Sequence, residues 1–267
     1  RQPFVDGVVL GEGEEVMKEL AARLAEGVSP EGIPGLVLQG RPDSGGAEIV
    51  RVPDLDSLPF PGNADMTITG VDRRLQLRHV MTARGCAFAC RFCEAPYLCG
   101  RRVRKRSLSN LLRELEALKE RWGLLYFSFR DDSFSADRER LREFCREILQ
   151  RRLPFLWDCQ CAVATLDPET VTLMRRAGCV QIQLGIESGS QEVLKTLGKN
   201  YRRSELLQLA EACRKTGMLL SAYIITGVPG ETARDVTATE ALLRELRVGS
   251  VVVSRLAYNY PLDSVPV

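Results

Sequence analysis

Cys86-Ala87-Phe88-Ala89-Cys90-Arg91-Phe92-Cys93 sets three cysteines in one short stretch with the spacing C-x3-C-x2-C. Three thiolates so placed on a loop can hold three corners of a small iron-sulfur cluster. No obvious fourth ligand lies nearby, and a cluster held by three thiolates keeps one iron open, the feature that separates reactive metal sites from structural ones. Zinc is the competing occupant; it needs a fourth Cys or His, which Cys99 or the single histidine, His79, would have to supply. Inert core thiols fit poorly, because Gly85, Arg91 and the run Arg101-Arg102-Val103-Arg104-Lys105-Arg106 make this a polar loop.

Outward from the loop, strand and helix patterns alternate. Strand-like runs cover residues 77–82, 124–129, 155–163, 180–186, 219–225 and 251–256, with helical patterns near 108–122, 137–152, 168–177, 203–216 and 232–247. Start signals agree: Asp167-Pro168-Glu169 offers a cap and a first-turn proline, and Thr232 with Asp235 forms a capping-box pattern. Six βα-type units imply an α/β fold with a parallel sheet, right-handed crossovers and a curved or closed barrel. Sites in such folds lie at the carboxyl ends of the strands, and the cysteine loop directly follows the first expected strand.

Composition narrows the class. The 267 residues hold 37 basic and 35 acidic side chains, so global charge argues for neither nucleic acid nor a membrane surface. No apolar run approaches a bilayer span and no signal-peptide pattern opens the chain, which leads us to expect a cytoplasmic protein. Of nine cysteines, the six outside the loop (Cys99, Cys145, Cys159, Cys161, Cys179, Cys213) are read as thiols in a reducing compartment, those in apolar patterns packing well as free cysteines.

The segment from Thr82 to Cys93, with an aromatic residue, Phe92, just before its third cysteine, resembles the cluster loop of the radical S-adenosylmethionine (radical SAM) enzymes. The resemblance implies a partial barrel of six βα units in which Cys86, Cys90 and Cys93 ligate a 4Fe-4S cluster. Its open iron would be chelated by S-adenosylmethionine, which one electron cleaves to methionine and a 5'-deoxyadenosyl radical. After the second strand, Asp131-Asp132-Ser133-Phe134 resembles the family segment whose carboxylate meets the cofactor ammonium. The alternative for these acids is a helix-starting turn, with Asp137 as the cap. Gly185-Ile186-Glu187-Ser188-Gly189-Ser190 resembles the segment whose acid and serine face the ribose and methionine, which singles out Glu187 and Ser188. Gly227-Val228-Pro229-Gly230-Glu231-Thr232 is similar to the fifth-strand segment that lines the adenine, and its glycines permit close approach. The basic run at 101–106 reads first as solvated surface, with neutralising an anionic substrate or docking a reductant as the functional alternatives.

Further upstream, residues 4–10 read as a strand, followed by a Gly turn and an amphipathic helix bearing Val16, Leu20 and Leu24. One such unit cannot bury its own faces, so it is expected to be the tail of an α/β domain whose earlier part is missing here. Residues 30–64 are rich in Pro and Gly and are expected to form a linker. Together with Leu55-Asp56-Ser57-Leu58-Pro59-Phe60-Pro61, this region resembles the end of a Rossmann-like cobalamin-binding domain and its connection to a radical SAM core. The organisation expected is therefore 1–52 as the remnant of the cobalamin-type domain, 53–74 as the linker and 75–267 as the core.

That branch implies cobalamin as a further cofactor, held mostly by sequence outside this chain, and most simply a C-methyltransferase. The alternatives are a methylthiotransferase-like enzyme without cobalamin, a carbon-skeleton cyclase or rearrangement enzyme, and, from another class, a zinc-stabilised binding module. The partners implied are a small-molecule or peptide substrate and a flavodoxin or ferredoxin-type reductant, with no nucleic acid and no membrane span. Three departures stand against the family pattern: no Asp-x-His-x-x-Gly segment is present, Ala162 and Ala164 stand where relatives carry polar residues, and residues 260–263 lack the usual Gly-Thr.

Overall fold

The computed structural model describes residues 4–40, 49–61 and 70–256. Residues 260–263, with their missing Gly-Thr, lie outside them. The chain begins with β1 (Gly7–Val9), α1 (Glu14–Ala25) and β2 (Leu36–Leu38), followed by α2 (Arg73–Leu77), β3 (His79–Val80), β4 (Ala83–Arg84), α3 (Ala95–Leu98) and β5 (Arg104–Lys105). The βα repeats then run α4 (Leu108–Trp122), β6 (Tyr126–Phe129), α5 (Arg138–Gln150), β7 (Leu156–Cys161), α6 (Pro168–Arg176), β8 (Cys179–Glu187), α7 (Gln191–Thr196), α8 (Arg203–Thr216), β9 (Leu219–Thr226), α9 (Ala233–Leu246) and β10 (Ser250–Arg255).

Six strands form one sheet in the order β10-β9-β8-β7-β6-β3, with every pairing parallel. Sequential strands are neighbours in space, as right-handed βα crossovers require. Among the described residues β3 and β10 do not pair with each other, so the sheet is an open, partial barrel.

Each strand has two chemically different faces. On β7, Trp157 and Cys159 face the helices, where Phe129, Phe134 and Phe144 surround the indole. Phe129 stacks on Phe134 at 4.7 Å, and Trp157 Nε1 donates to Ala177 O at 2.8 Å, so the one polar atom of the largest core side chain is satisfied. The alternate residue, Asp158, points the other way and accepts from Tyr126 Oη (2.6 Å), Ser128 Oγ (2.7 Å) and Gln183 Nε2 (2.9 Å). The concave face is thus polar, and its hydrogen bonds tie β6, β7 and β8 together.

The caps form as the sequence reading expects. Asp137 Oδ1 accepts from Arg140 N at 3.0 Å, Asp167 Oδ1 from Thr170 N at 2.7 Å, and Thr232 and Asp235 form a reciprocal box at the start of α9.

Two expectations are corrected. The first barrel strand, expected over 77–82, shrinks to His79–Val80, because Asp72 caps the short helix Arg73–Leu77 and the chain then leaves the sheet to make β4. The linker expected over 30–64 contains a strand: Leu36–Leu38 pairs antiparallel with Gly7–Val9. Leu36 and Ile33 pack on Val16 of α1 in a small separate core, so the prolines and glycines mark turns around that strand.

Candidate active site

The cysteine loop is held at both ends. At its base, Ala83↔Lys105 and Arg84↔Arg104 form a two-residue antiparallel clasp, and Cys86 N donates to Gly100 O at 3.1 Å. Gly85 sits there with φ +99°, and a Cβ at this position would lie 2.6 Å from Arg102 O, so only glycine fits. On its far side, Arg91 N donates to Leu197 O at 3.0 Å, and Gly198 would drive a Cβ to 2.8 Å from Ala89 O. The loop therefore rests on the turn that follows α7.

Inside lies a cavity of about 450 Å³ lined by residues from the carboxyl ends of β6, β7, β8, β9 and β10 and by the cysteine loop that follows β4. Cys86, Cys90, Cys93 and Phe92 line it, and all three thiols are free. Burial pushes each thiol upward in pKa, and each also feels a neighbouring cysteine of the set, while the Lys199 ammonium pulls them down. Three soft sulfur donors around one cavity fit a multi-iron cluster, which takes one thiolate per iron. Among the described residues no three His, Cys, Asp or Glu side chains are gathered closely enough to hold a single metal ion. Neither zinc candidate is in the cavity lining: His79 Nδ1 accepts from Arg130 Nε at 3.2 Å, and Cys99 O accepts from Arg104 Nη2 at 3.0 Å.

The paired carboxylates divide. Asp131 is buried and turned away from the cavity, with Oδ1 accepting from Thr82 N at 2.6 Å and Oδ2 from Thr82 Oγ1 at 2.5 Å. Burial pushes its carboxyl up to about 6 against those hydrogen bonds. Asp132 lines the cavity and accepts from Gly85 N at 3.1 Å, joining the second strand to the loop. Next to it, Ser133 Oγ is buried in the cavity wall with no hydrogen-bond partner among the described residues.

Glu187 ends β8 at a bulge, with φ +63°, a conformation that costs a non-glycine residue on the order of 1–3 kcal/mol. The bend aims its carboxylate into the cavity, 3.0 Å from Lys199 Nζ, which also donates to Gly185 O at 3.2 Å. Burial raises the Glu187 pKa and Lys199 opposes the rise. The ammonium lies 5.8 Å from the centre of the Phe92 ring.

Ser188 turns away, its hydroxyl 3.1 Å from Thr239 Oγ1 and accepting from Ser190 N. Gly227, Val228 and Pro229 are also outside the lining: Gly227 N donates to Glu231 Oε2 at 2.6 Å, and Val228 packs with Val193, Leu197 and Ile225 behind Phe92. From the fifth barrel strand the wall takes Tyr223, Ile224 and Ile225 instead. Ser133, Gln160, Gln183, Lys199, Tyr223 and Arg255 are wall residues that the sequence motifs did not single out. The alternation along each strand was the available signal for Gln183 and Tyr223. Lys199 follows the Glu187 segment in the sequence, and only the fold shows that it comes back across α7 to meet that carboxylate.

The basic run is only partly solvated. Arg101 and Arg102 are exposed, but Arg104 pairs with Glu12 and Arg106 with Glu114.

Comparison with known proteins agrees with this geometry. Residues 80–243 match the Radical SAM superfamily. An uncharacterized methyltransferase of Pyrococcus horikoshii is 30% identical over 256 residues, covering 92% of this chain and 54% of that protein. The cytidylyl-2-hydroxyethylphosphonate methyltransferase of Streptomyces wedmorensis is 28% identical, covering 85% of this chain and 49% of that protein. The radical S-adenosylmethionine methyltransferase TsrM from Kitasatospora setae, solved with cobalamin and a [4Fe-4S] cluster, superposes with a TM-score of 0.73 at 25% identity over 94% of this chain and 51% of its own. This chain spans about half the length of these relatives. With more than half of its residues matched, it belongs to the radical SAM superfamily, enzymes that work with a 4Fe-4S cluster and S-adenosylmethionine.

Proposed function

We propose that this chain is the catalytic core of a cobalamin-dependent radical SAM C-methyltransferase. The observation that carries the radical SAM part is the cavity at the carboxyl ends of the strands, walled by Cys86, Cys90 and Cys93 and by the polar ends of β6 to β9. Cobalamin and methyl transfer enter from the relatives, and from the resemblance of residues 1–52 to the end of a cobalamin-binding domain, with 53–74 as the connection and 75–267 as the core.

When bound, the cluster supplies the electron that cleaves S-adenosylmethionine reductively. In this reading Cys86, Cys90 and Cys93 hold the cluster, and Gly85 and Gly198 let the backbone close tightly around it. Asp132, Ser133 and Glu187 offer acceptors to the ammonium and hydroxyl groups of S-adenosylmethionine. Lys199 fixes the position of the Glu187 carboxylate and opposes the rise in its pKa that burial causes. Phe92, Ile224 and Ile225 supply apolar wall that excludes water from the reacting atoms. A small-molecule or peptide substrate and a flavodoxin or ferredoxin-type reductant complete the proposal. Among the described residues no helix is long and apolar enough to cross a membrane.

The test is anaerobic reconstitution of the full-length protein with iron and sulfide, then reduction in the presence of S-adenosylmethionine and chromatography for 5'-deoxyadenosine. Product that requires all three cysteines supports the radical reading. Cobalamin in the purified protein, and transfer of a labelled methyl group to carbon, supports the methyltransferase reading. A folded protein that holds zinc and forms no product overturns both.

A further inference from the structure

The base of the cysteine loop carries an electrostatic problem. In the β4–β5 clasp, Arg84 stands directly opposite Arg104, two guanidiniums on a ladder only two residues long. Such a ladder has little stability of its own, and like charges facing each other across it oppose pairing. The counter-charge comes from far away in sequence. Glu12, almost fully buried, places Oε2 2.9 Å from Arg104 Nη1 and 3.1 Å from Arg84 Nη1, while Oε1 pairs with Arg104 Nη2. Val52 N donates to the same carboxylate at 2.8 Å, and Arg84 Nη2 reaches Glu14 Oε1 at 2.5 Å.

Both arginines in turn touch the ends of the loop. Arg84 precedes Gly85 and Cys86 in the chain, and Arg104 Nη2 donates to Cys99 O at 3.0 Å. A second tie runs alongside, from Arg51 Nη2 to Tyr97 O at 3.1 Å. Removing one member of a half-buried charge network leaves the others uncompensated, which costs far more than losing an exposed pair.

We infer that Glu12 is a positioning residue for the cysteine loop, through which the N-terminal unit clamps the clasp that brings Cys86, Cys90 and Cys93 together. The N-terminal unit therefore shapes the cysteine loop of the barrel through its two flanking arginines.

The experiment compares wild type, Glu12→Gln and Glu12→Asp in the full-length protein by amide hydrogen exchange before metal loading, and by iron retained against a chelator afterwards. Glu12→Gln is expected to speed exchange over residues 83–106 by about 10-fold or more while β7 and β8 exchange as in wild type. It is expected to lower iron retention severalfold, and Glu12→Asp, which keeps the charge, is expected to recover most of both. Unchanged exchange at 83–106 would overturn the inference, and so would acceleration spread evenly through the sheet. If wild type itself retains no iron, the cluster reading fails, and the exchange comparison still decides the role of Glu12.

Discussion

Lys199 Nζ and Glu187 Oε1 stand 3.0 Å apart inside the cavity, on segments separated by α7, and the pair exists because Glu187 takes a positive φ at the bulge that ends β8. A buried pair of this kind responds asymmetrically to mutation, since removing one partner strands the other's charge. Glu187→Ala is expected to weaken S-adenosylmethionine binding by roughly 10-fold or more, the scale of losing one charge-assisted hydrogen bond, while iron content is unchanged. Equilibrium dialysis of the reconstituted protein measures it, and unchanged affinity would remove the role given to Glu187.

Gly185 lies under the same pair: a Cβ there would come within 2.5 Å of Glu187 Oε1 and 3.0 Å of Lys199 Nζ. Gly185→Ala is therefore expected to reproduce the binding defect of Glu187→Ala with the sheet intact. Near-wild-type affinity in this variant would show that the pair moves freely.

Cys90→Ala is expected to abolish both cluster assembly and 5'-deoxyadenosine formation, with far-UV circular dichroism close to wild type. Cys90 lies on the loop, outside the hydrophobic core, so its thiol carries little folding energy. Residual cleavage of S-adenosylmethionine by this variant would contradict the assignment.

Acid should loosen the N-terminal clamp. Burial raises the Glu12 pKa, but hydrogen bonds from Arg104, Val52 and Arg84 outweigh it and hold the carboxyl at about 2, below its ordinary 4.5. A carboxylate depressed in the folded state binds fewer protons than it does unfolded. Its contribution is thus fully present above 4.5 and fades as pH falls toward 2. Urea unfolding from pH 7 down to 3 is expected to show a stability gap between wild type and Glu12→Gln that narrows with acid. A gap independent of pH would mean that the ion pairs do not carry it.

Trp157→Ala should lower stability by about 3–5 kcal/mol, the range for truncating a fully buried large aromatic. Its indole meets Phe129, Phe134 and Phe144 and caps Ala177 O. Denaturant unfolding measures this, and a loss under 1 kcal/mol would show that the site repacks.

Local pattern carried much of this protein. The three cysteines, the six βα repeats and the caps at Asp167 and Thr232 were legible, because thiol spacing, hydrophobic period and cap chemistry are set by residues a few positions apart. The family resemblance put Phe92, Asp132 and Glu187 at the site, and the cavity wall holds all three. It did not separate Asp131 from Asp132, since adjacent strand-end residues point in opposite directions, and only the partner across the fold, Thr82, shows which one is turned inward. Nor did it place Ser188 or the Gly227-Val228-Pro229 turn, none of which lines the cavity.

What the sequence determined by itself is the chemistry available: three thiolates on one loop and a parallel α/β repeat to present them. Tertiary structure alone decided which charges meet. Lys199 reaches Glu187 across α7, and Glu12 crosses from the N-terminal unit to Arg84 and Arg104. Such pairs have no periodic signature, because they depend on where whole elements come to rest, and burial then makes those few contacts strong.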